Sequence, residues 1–211
     1  MKKLLFILFL FSFAFLGIIA TGYLFFIPES SWKLAVIFYG LGVIGFSGGN
    51  IFYDSLLVAV SKEKERNRAS ALGFSLGYLG GGILFLINVI MFLYPNQFGL
   101  ENQIEAVLWS FVSVAVWWLI FSLPLYLNVK EPIQNPNKKQ INTIISDAFG
   151  NLLNTARSIK KFKSAVIFLL AYFLYMDGVD TIIRMATSYG SDIGLSATSM
   201  IQALLLTQFI G

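Results

Sequence analysis

The stretch SAVIFLLAYFLYMDGVDTIIRMAT, residues 164–187, combines a membrane-length apolar run with three ionisable side chains. A helix needs about 20 mostly apolar residues to cross the hydrocarbon core of a bilayer, and this stretch is long enough. Asp177, Asp180 and Arg184 lie within it, where a charge without a partner costs free energy. The stretch therefore predicts a transmembrane helix that carries a polar function.

The composition of the whole chain is that of an integral membrane protein made of α-helices. Of its 211 residues, 57% are hydrophobic and 12% are charged, whereas a soluble domain is about a quarter charged. The chain has no cysteine and no histidine, which removes thiolate chemistry and the commonest metal ligand. We therefore expect no metal, no cofactor and no enzymatic activity. The net charge of +4 does not indicate a nucleic-acid partner, because the basic residues do not form one clustered face.

Six apolar runs are candidate transmembrane helices, and proline residues lie in several of the gaps between them, as is typical of helix ends. The runs are residues 4–27, 32–60, 70–93, 104–127, 164–187 and 196–211. Pro124 lies inside the fourth run, where a membrane helix tolerates a kink. The first run is too long for the apolar core of a signal peptide. The sixth run stops at Gly211, short of a full span, which suggests a chain truncated from a longer protein.

The basic residues between the runs predict the orientation of the chain. Six crossings place every Lys and Arg that lies outside the runs on one side of the membrane. Lys33, at the start of the second run, lies on the other side. Basic loops are typically cytoplasmic, so the bilayer is the first expected partner and this side faces the cytoplasm.

The long cytoplasmic segment, residues 129–163, is the predicted linker between two domains. In its second part, residues 141–163, apolar residues recur every three or four positions, which predicts an amphipathic helix. Such a helix either lies on the membrane surface or packs against the floor of the helical bundle. The sequence leaves both alternatives open.

Glycines in the second and third runs predict sites of helix packing and bending. Gly73, Gly77 and Gly81 are four residues apart, so they share one face of the third helix and let another backbone approach closely. The second run contains five glycines between residues 40 and 49, which predict a bendable helix.

Two polar residues of the second run are candidates for different roles. Asn50 lies well inside the run and is expected to hydrogen-bond a neighbouring helix. Asp54 lies near the cytoplasmic end, and we expect it to pair there with Arg66 or Arg68.

The three charges of residues 164–187 lie at different depths. Counted at 1.5 Å per residue from Ser164, Asp177 lies about 20 Å into a hydrocarbon core of about 30 Å. Asp180 and Arg184 are four residues apart, so they can pair along the helix. Asp177 shares their face but has no close partner in its own helix. Gly178, beside it, is expected to loosen the helix and free a carbonyl group.

Several motifs resemble the vacuole effluxer family, a branch of the major facilitator superfamily with bacterial members and a yeast vacuolar amino-acid exporter. They are LGYLGGG (76–82), FYDSLLVAV (52–60), FLLAYFLYMDGVDTIIRMATSYGSDIGLS (168–196) and LLLTQFIG (204–211). The chain departs from the family pattern at Met176, where the family has asparagine, and at Asp54-Ser55, where it has Asn-Ala.

The resemblance implies a twelve-helix transporter, of which this chain covers helices three to eight. Residues 1–128 then belong to the N-terminal bundle, and residues 164–211 begin the C-terminal one. The implied partners include the missing helices of the same protein. In the superfamily, the helices equivalent to the second and fifth runs line the central cavity, which raises the interest of Asn50, Asp177 and Asp180.

These observations predict a secondary active transporter of small solutes that works by alternating access. The resemblance adds amino-acid efflux, with Asp177 taking up a proton or a cationic group, in the plasma membrane of a bacterial cell. One alternative is an intramembrane aspartyl protease using Asp54 and Asp177. That chemistry needs both carboxylates at one water molecule, and the predicted depths of the two residues argue against it. A non-transporting membrane fragment is the other alternative.

Overall fold

A computed structural model describes residues 5–129, 150, 154–155, 157–159 and 162–210. The long elements among these residues are all α-helical, and short connections join the first four to one another and the last two to one another. They are α1 (Leu5–Tyr23), α2 (Trp32–Val60), α3 (Arg66–Leu93), α4 (Gln103–Asn128), α5 (Lys163–Asp192) and α6 (Ala197–Ile210). Short 3₁₀ turns occupy Leu24–Phe26, Glu63–Glu65 and Pro95–Phe98.

Helices α1 to α5 are long and apolar enough to cross a membrane, whereas α6 is a shorter apolar helix of 14 residues. The prediction of an all-helical membrane protein is therefore confirmed, with five full spans in the described part of the chain. The predicted bounds were less accurate. Helix α3 begins at Arg66 rather than at residue 70, and α5 continues to Asp192 rather than 187. Backbone hydrogen bonding continues into polar residues after the apolar run has ended.

Local sequence signals explain several helix ends. Asn102 precedes α4, and its side-chain oxygen accepts a hydrogen bond from the Glu105 backbone N–H at 2.9 Å. The Glu105 carboxylate in turn accepts from the Glu101 backbone N–H at 2.8 Å, which forms a reciprocal cap. After α5, Gly194 has a φ of 86°, a conformation that glycine adopts without steric cost. Pro124 lies inside α4 without ending it, as predicted.

The structure divides into two compact units. One comprises Met1–Ile133 together with Ile201–Gly211, and the other comprises Gln134–Met200. Most of the amphipathic helix predicted for residues 141–163 lies outside the described residues. Its described members at 150, 154–155 and 157–159 are helical, and Phe162 is not. The predicted division into two bundles remains a prediction.

The first unit is organised around a close approach of α1, α2 and α4 at Gly17. A Cβ atom added to Gly45 of α2 would lie 2.5 Å from the Gly17 nitrogen and 2.6 Å from its Cα. A Cβ added to Gly17 would collide with the ring of Trp118 of α4, and one added to Gly48 would collide with the ring of Phe13. Contacts of this kind between small residues and rings are typical of membrane helix packing. We call Gly17, Gly45 and Trp118 the glycine junction.

The predicted glycine stripe of α3 is not a contact point in the described structure. A Cβ added to Gly77 or Gly81 would meet no described atom within 4 Å, and one added to Gly73 would meet only the Tyr53 hydroxyl at 3.8 Å. The neighbouring Gly82 does pack against another helix, because a Cβ added there would lie 3.1 Å from the ring of Phe209 in α6. The packing role of the stripe therefore stays a prediction.

A polar contact also joins α3 to α4. The Ser113 hydroxyl donates a hydrogen bond to the side-chain oxygen of Asn88 at 2.9 Å, and both groups are partly buried. The side-chain amide of Gln208 in α6 donates to the Tyr78 carbonyl oxygen of α3 at 3.2 Å. Bonds of this kind fix the rotation of helices that are otherwise held by apolar contacts.

Candidate functional site

A cavity of about 250 Å³ lies between α1, α2 and α4 in the first unit. It runs along the N-terminal half of α1 and the C-terminal halves of α2 and α4, beside the glycine junction. Its lining comprises Ile7, Leu10, Phe11, Ala14, Phe46, Gly49, Asn50, Tyr53, Trp118, Phe121, Ser122, Leu125 and Tyr126. The three helix ends nearest to it adjoin the loops that are predicted to be cytoplasmic.

Six of the thirteen residues that line this cavity are aromatic. Phe11 lies 4.8 Å from Tyr126 and Phe46 lies 6.1 Å from Trp118, measured between ring centroids. These contacts join α1 to α4 and α2 to α4, and they hold the wall in shape. Phe46 and Phe121 are 57% and 60% exposed, so the cavity has an open side.

Asn50 and Ser122 are the non-aromatic polar residues of the wall, and both are half-buried. Neither side chain has a hydrogen-bond partner among the described residues. Among the described residues, the lining contains no Asp, Glu, Lys or Arg. A polar group that is removed from water without a partner costs free energy, so these two groups favour an occupant that can hydrogen-bond.

The hydrogen bond expected between Asn50 and a neighbouring helix is not formed among the described residues, and it stays a prediction. Asn88 does form such a bond there, with Ser113. The two asparagines lie in apolar helices, and the sequence does not separate them. What separates them is the rotation of each helix, which turns Asn88 toward α4 and Asn50 toward the cavity.

The other members of the cavity wall were not identified from the sequence. Their spacing carried a partial signal, because 46, 49–50 and 53 lie on one face of α2, and 118, 121–122 and 125–126 lie on one face of α4. That spacing predicts which residues share a helix face, but it does not predict which face of another helix lies opposite.

The charged residues of α5 belong to the second unit. Asp177 lies at the midpoint of this 30-residue helix. Arg184 and Asp180 form an ion pair with 3.8 Å between nitrogen and oxygen, and their side chains are 53% and 59% exposed. Asp177 is also exposed and forms no ion pair among the described residues. The expected loosening at Gly178 is absent, because α5 continues without interruption through that residue.

The predicted cytoplasmic pairing of Asp54 does not occur in the described residues. Asp54 is exposed in the last turns of α2, and it forms no salt bridge with Arg66 or Arg68. The Nε atom of Arg66 is buried and has no hydrogen-bond partner among the described residues. In the same part of the chain, no group of three or more acidic side chains could hold a metal ion.

The described helices define the class of the protein, which is a multi-pass, all-helical integral membrane protein. Residues 7–211 match the family model described as "Vacuole effluxer Atg22 like". The chain therefore belongs to the Atg22-like family of major facilitator superfamily transporters, and the resemblance noted in its motifs is confirmed.

Relatives from bacteria and fungi agree with this assignment. An "Uncharacterized MFS-type transporter YxiO" of Bacillus subtilis is 40% identical over 195 residues, which are 92% of this chain and 45% of the relative. "Autophagy-related protein 22-2" of Aspergillus clavatus is 27% identical over 135 residues, which are 59% of this chain and 21% of the relative. "Autophagy-related protein 22" of Saccharomyces cerevisiae is 25% identical over 161 residues, covering 65% of this chain and 29% of that protein.

The chain spans about half the length of the bacterial relative and less of the fungal ones. No solved structure matches it.

Proposed function

We propose that the protein acts as a secondary active transporter that exports small solutes, amino acids among them, by alternating access. Its family supports this proposal, since the family description names an effluxer and the bacterial relative is named as a transporter. Because the chain spans about half of that relative, the proposal is for the protein together with the further helices of such a transporter. The family gives no support to the alternative of an aspartyl protease.

The observation that carries the proposal is the position of Asp177 at the midpoint of α5. A carboxylate at the centre of a bilayer costs about 2.5–3.5 kcal/mol on insertion scales, so its position requires water, a proton or a partner. We assign to Asp177 the uptake of a proton or of the cationic group of the solute. Either event would neutralise the charge at the depth where it is most costly.

The pair of Asp180 and Arg184 supports a second part of the mechanism. A separation of 3.8 Å between nitrogen and oxygen is long for a charge-assisted hydrogen bond, so a change of partner costs this pair little free energy. We propose that this pair breaks or changes partner between the two access states.

The basic loops support a sidedness for the transporter. On the expectation that they are cytoplasmic, the cavity beside Asn50 lies in the cytoplasmic half of α1, α2 and α4. The bacterial relative favours the plasma membrane as the location.

A flux assay tests this proposal with a matched pair of variants in α5. The full-length protein is reconstituted into phosphatidylcholine vesicles, and a panel of labelled amino acids is followed at several pH values with and without a proton gradient. We expect Asp177→Asn to abolish gradient-driven transport or to remove its pH dependence. We expect Asp192→Asn, at the end of the same helix, to leave both unchanged. Equal rates and equal pH profiles for Asp177→Asn and the parent protein would eliminate the role of Asp177.

The 211-residue chain itself is the second arm of the same assay. We expect no transport by this chain alone, because alternating access needs helices from both halves of the transporter. Transport by the chain alone would show that the further helices are not required.

A further inference from the structure

We propose that the cavity between α1, α2 and α4 is a binding pocket for a neutral aromatic group that carries one hydrogen-bonding substituent. The proposal goes beyond transport, because binding at this pocket is measured at equilibrium and does not require movement of a solute across the membrane. It concerns the first unit alone.

The shape and the lining of the cavity favour an aromatic occupant. Its volume of about 250 Å³ is close to the lower limit of small-ligand pockets. Rings from all three helices line it, among them Phe11, Phe46 and Trp118. Flat rings pack against one another in offset or edge-to-face arrangements, so an aromatic guest gains more from this wall than an aliphatic chain of equal area.

The polar side chains of Asn50 and Ser122 argue against a lipid acyl chain as the occupant of the cavity. Both lie in the wall, half-buried, and neither has a hydrogen-bond partner among the described residues. An acyl chain would cover both groups without pairing them, which leaves the full desolvation penalty. A guest with one carbonyl, amide or hydroxyl group can pair with them, and a site with polar groups of this kind discriminates against guests that lack such a group.

The described lining residues include no Asp, Glu, Lys or Arg, and this favours a guest without charge. A carboxylate or an ammonium group inside this wall would lose its hydration and meet no opposite charge. The pocket therefore selects against ions of either sign, which distinguishes it from the charged stripe of α5.

Three probes of nearly equal shape separate these possibilities: benzamide, which is neutral, benzoate, which is an anion, and benzamidinium, which is a cation. Trp118 lines the cavity and reports binding through its fluorescence. The full-length protein in phosphatidylcholine vesicles carries Trp32→Phe, Trp109→Phe and Trp117→Phe, so Trp118 is the reporter within residues 1–211. Vesicles without protein correct for partition into the lipid.

We expect a saturable change of Trp118 fluorescence with benzamide, and apparent affinities at least about a hundredfold weaker for the two ions. Asn50→Leu should weaken benzamide binding by about tenfold, as the loss of one buried hydrogen bond implies. Ser122→Ala should weaken it in the same direction.

Glycine variants of α2 supply a matched pair that fills the cavity or leaves it open. Gly49 lines the cavity, and a Cβ added there would come no closer than 4.0 Å to Ala14. Gly49→Leu should therefore abolish the benzamide response. Gly40→Leu, in the same helix with open space around it, should leave the response intact.

Three results would overturn the proposal. One is a Trp118 response to octane but not to benzamide, which would assign the cavity to acyl chains. Another is equal affinity for the neutral and the charged probes, and the third is no saturable response to benzamide in the parent protein. The comparison of the three probes needs no cavity variant, so the test remains decisive even if Gly49→Leu fails to fold. No transport by the full-length parent protein, together with saturable benzamide binding, would contradict the proposed function and leave this pocket in place.

Discussion

The glycine junction and helix α5 differ in the contacts that their side chains make. At the junction, α1 meets α2 and α4 through glycine backbones and aromatic rings, and residues such as Ala14 and Ala20 of α1 are buried. In α5, the one buried residue among those described is Gly190, and Asp177, Asp180 and Arg184 form a stripe along the exposed helix. Helix α1 is positioned by close apolar contact, whereas α5 carries charges that require a polar partner in the membrane.

The difference shows that membrane-length helices of one chain can have different purposes. A helix that is packed through glycine contacts tolerates no additional atoms at those contacts. A helix with a charged stripe tolerates small changes in volume but responds to changes in charge. The following experiments test this contrast, in order of decreasing expected effect.

The largest effect is expected at the glycine junction. Gly45→Ala places a Cβ against the Gly17 backbone, which cannot move aside as a side chain can, so α1 and α2 must separate. We expect a loss of about 3 kcal/mol of unfolding free energy, measured by titrating the protein with a denaturing detergent and following its helicity. Gly40→Ala, in open space on the same helix, is the control. Equal stability of the two variants would show that the junction does not hold the helices together.

The hydrogen bond between Asn88 and Ser113 should contribute less. A double-mutant cycle with Asn88→Ala and Ser113→Ala isolates its energy from other effects of the substitutions. We expect a coupling of about 0.6 kcal/mol, the average for such bonds between membrane helices. A coupling of zero in the same unfolding assay would mean that the Ser113 hydroxyl uses its other acceptor, the Ser110 carbonyl oxygen at 2.8 Å.

The ion pair of α5 should contribute least among the polar contacts. A cycle with Asp180→Asn and Arg184→Gln should give a coupling below about 0.5 kcal/mol, because ion pairs four residues apart on a helix contribute about 0.2–0.5 kcal/mol and 3.8 Å between nitrogen and oxygen is long for such a pair. A coupling above about 2 kcal/mol that is insensitive to salt would show a buried pair, and the contrast between α5 and the junction would then fail.

The glycine stripe of α3 provides the smallest expected difference. A Cβ at Gly77 meets no described atom within 4 Å, so Gly77→Ala should change the unfolding free energy by the same amount as Gly40→Ala. A loss comparable to that of Gly45→Ala in the full-length protein would show instead that a further segment packs against this stripe.

Much of the fold follows from the sequence because the bilayer imposes a length. All five long helices fall where apolar runs of membrane length were found, and α6 falls at the shorter run. The errors lie at the ends, at Arg66 and Asp192, because hydropathy reports where the apolar run stops and not where the helix ends. The position of Asp177 along α5 also follows from counting residues.

The contacts between the described helices were not identified from the sequence. The sequence pointed to Gly73, Gly77 and Gly81 as packing residues, whereas the described contacts involve Gly17 and Gly45. It also assigned the interhelical hydrogen bond to Asn50. The glycine spacing of α3 and the polar side chain of Asn50 each mark a face of one helix. They do not show which face of that helix contacts a neighbouring helix.

The sequence by itself determined the class of protein, its family and the approximate bounds of the five membrane-length helices. These are properties of one segment and its solvent, so they depend on local length and hydropathy. The tertiary structure alone decided which glycines meet, which asparagine is paired and that aromatic faces of α1, α2 and α4 enclose a cavity. Those features depend on the rotation of each helix about its axis, which is set by the close packing of its neighbours and not by any one segment.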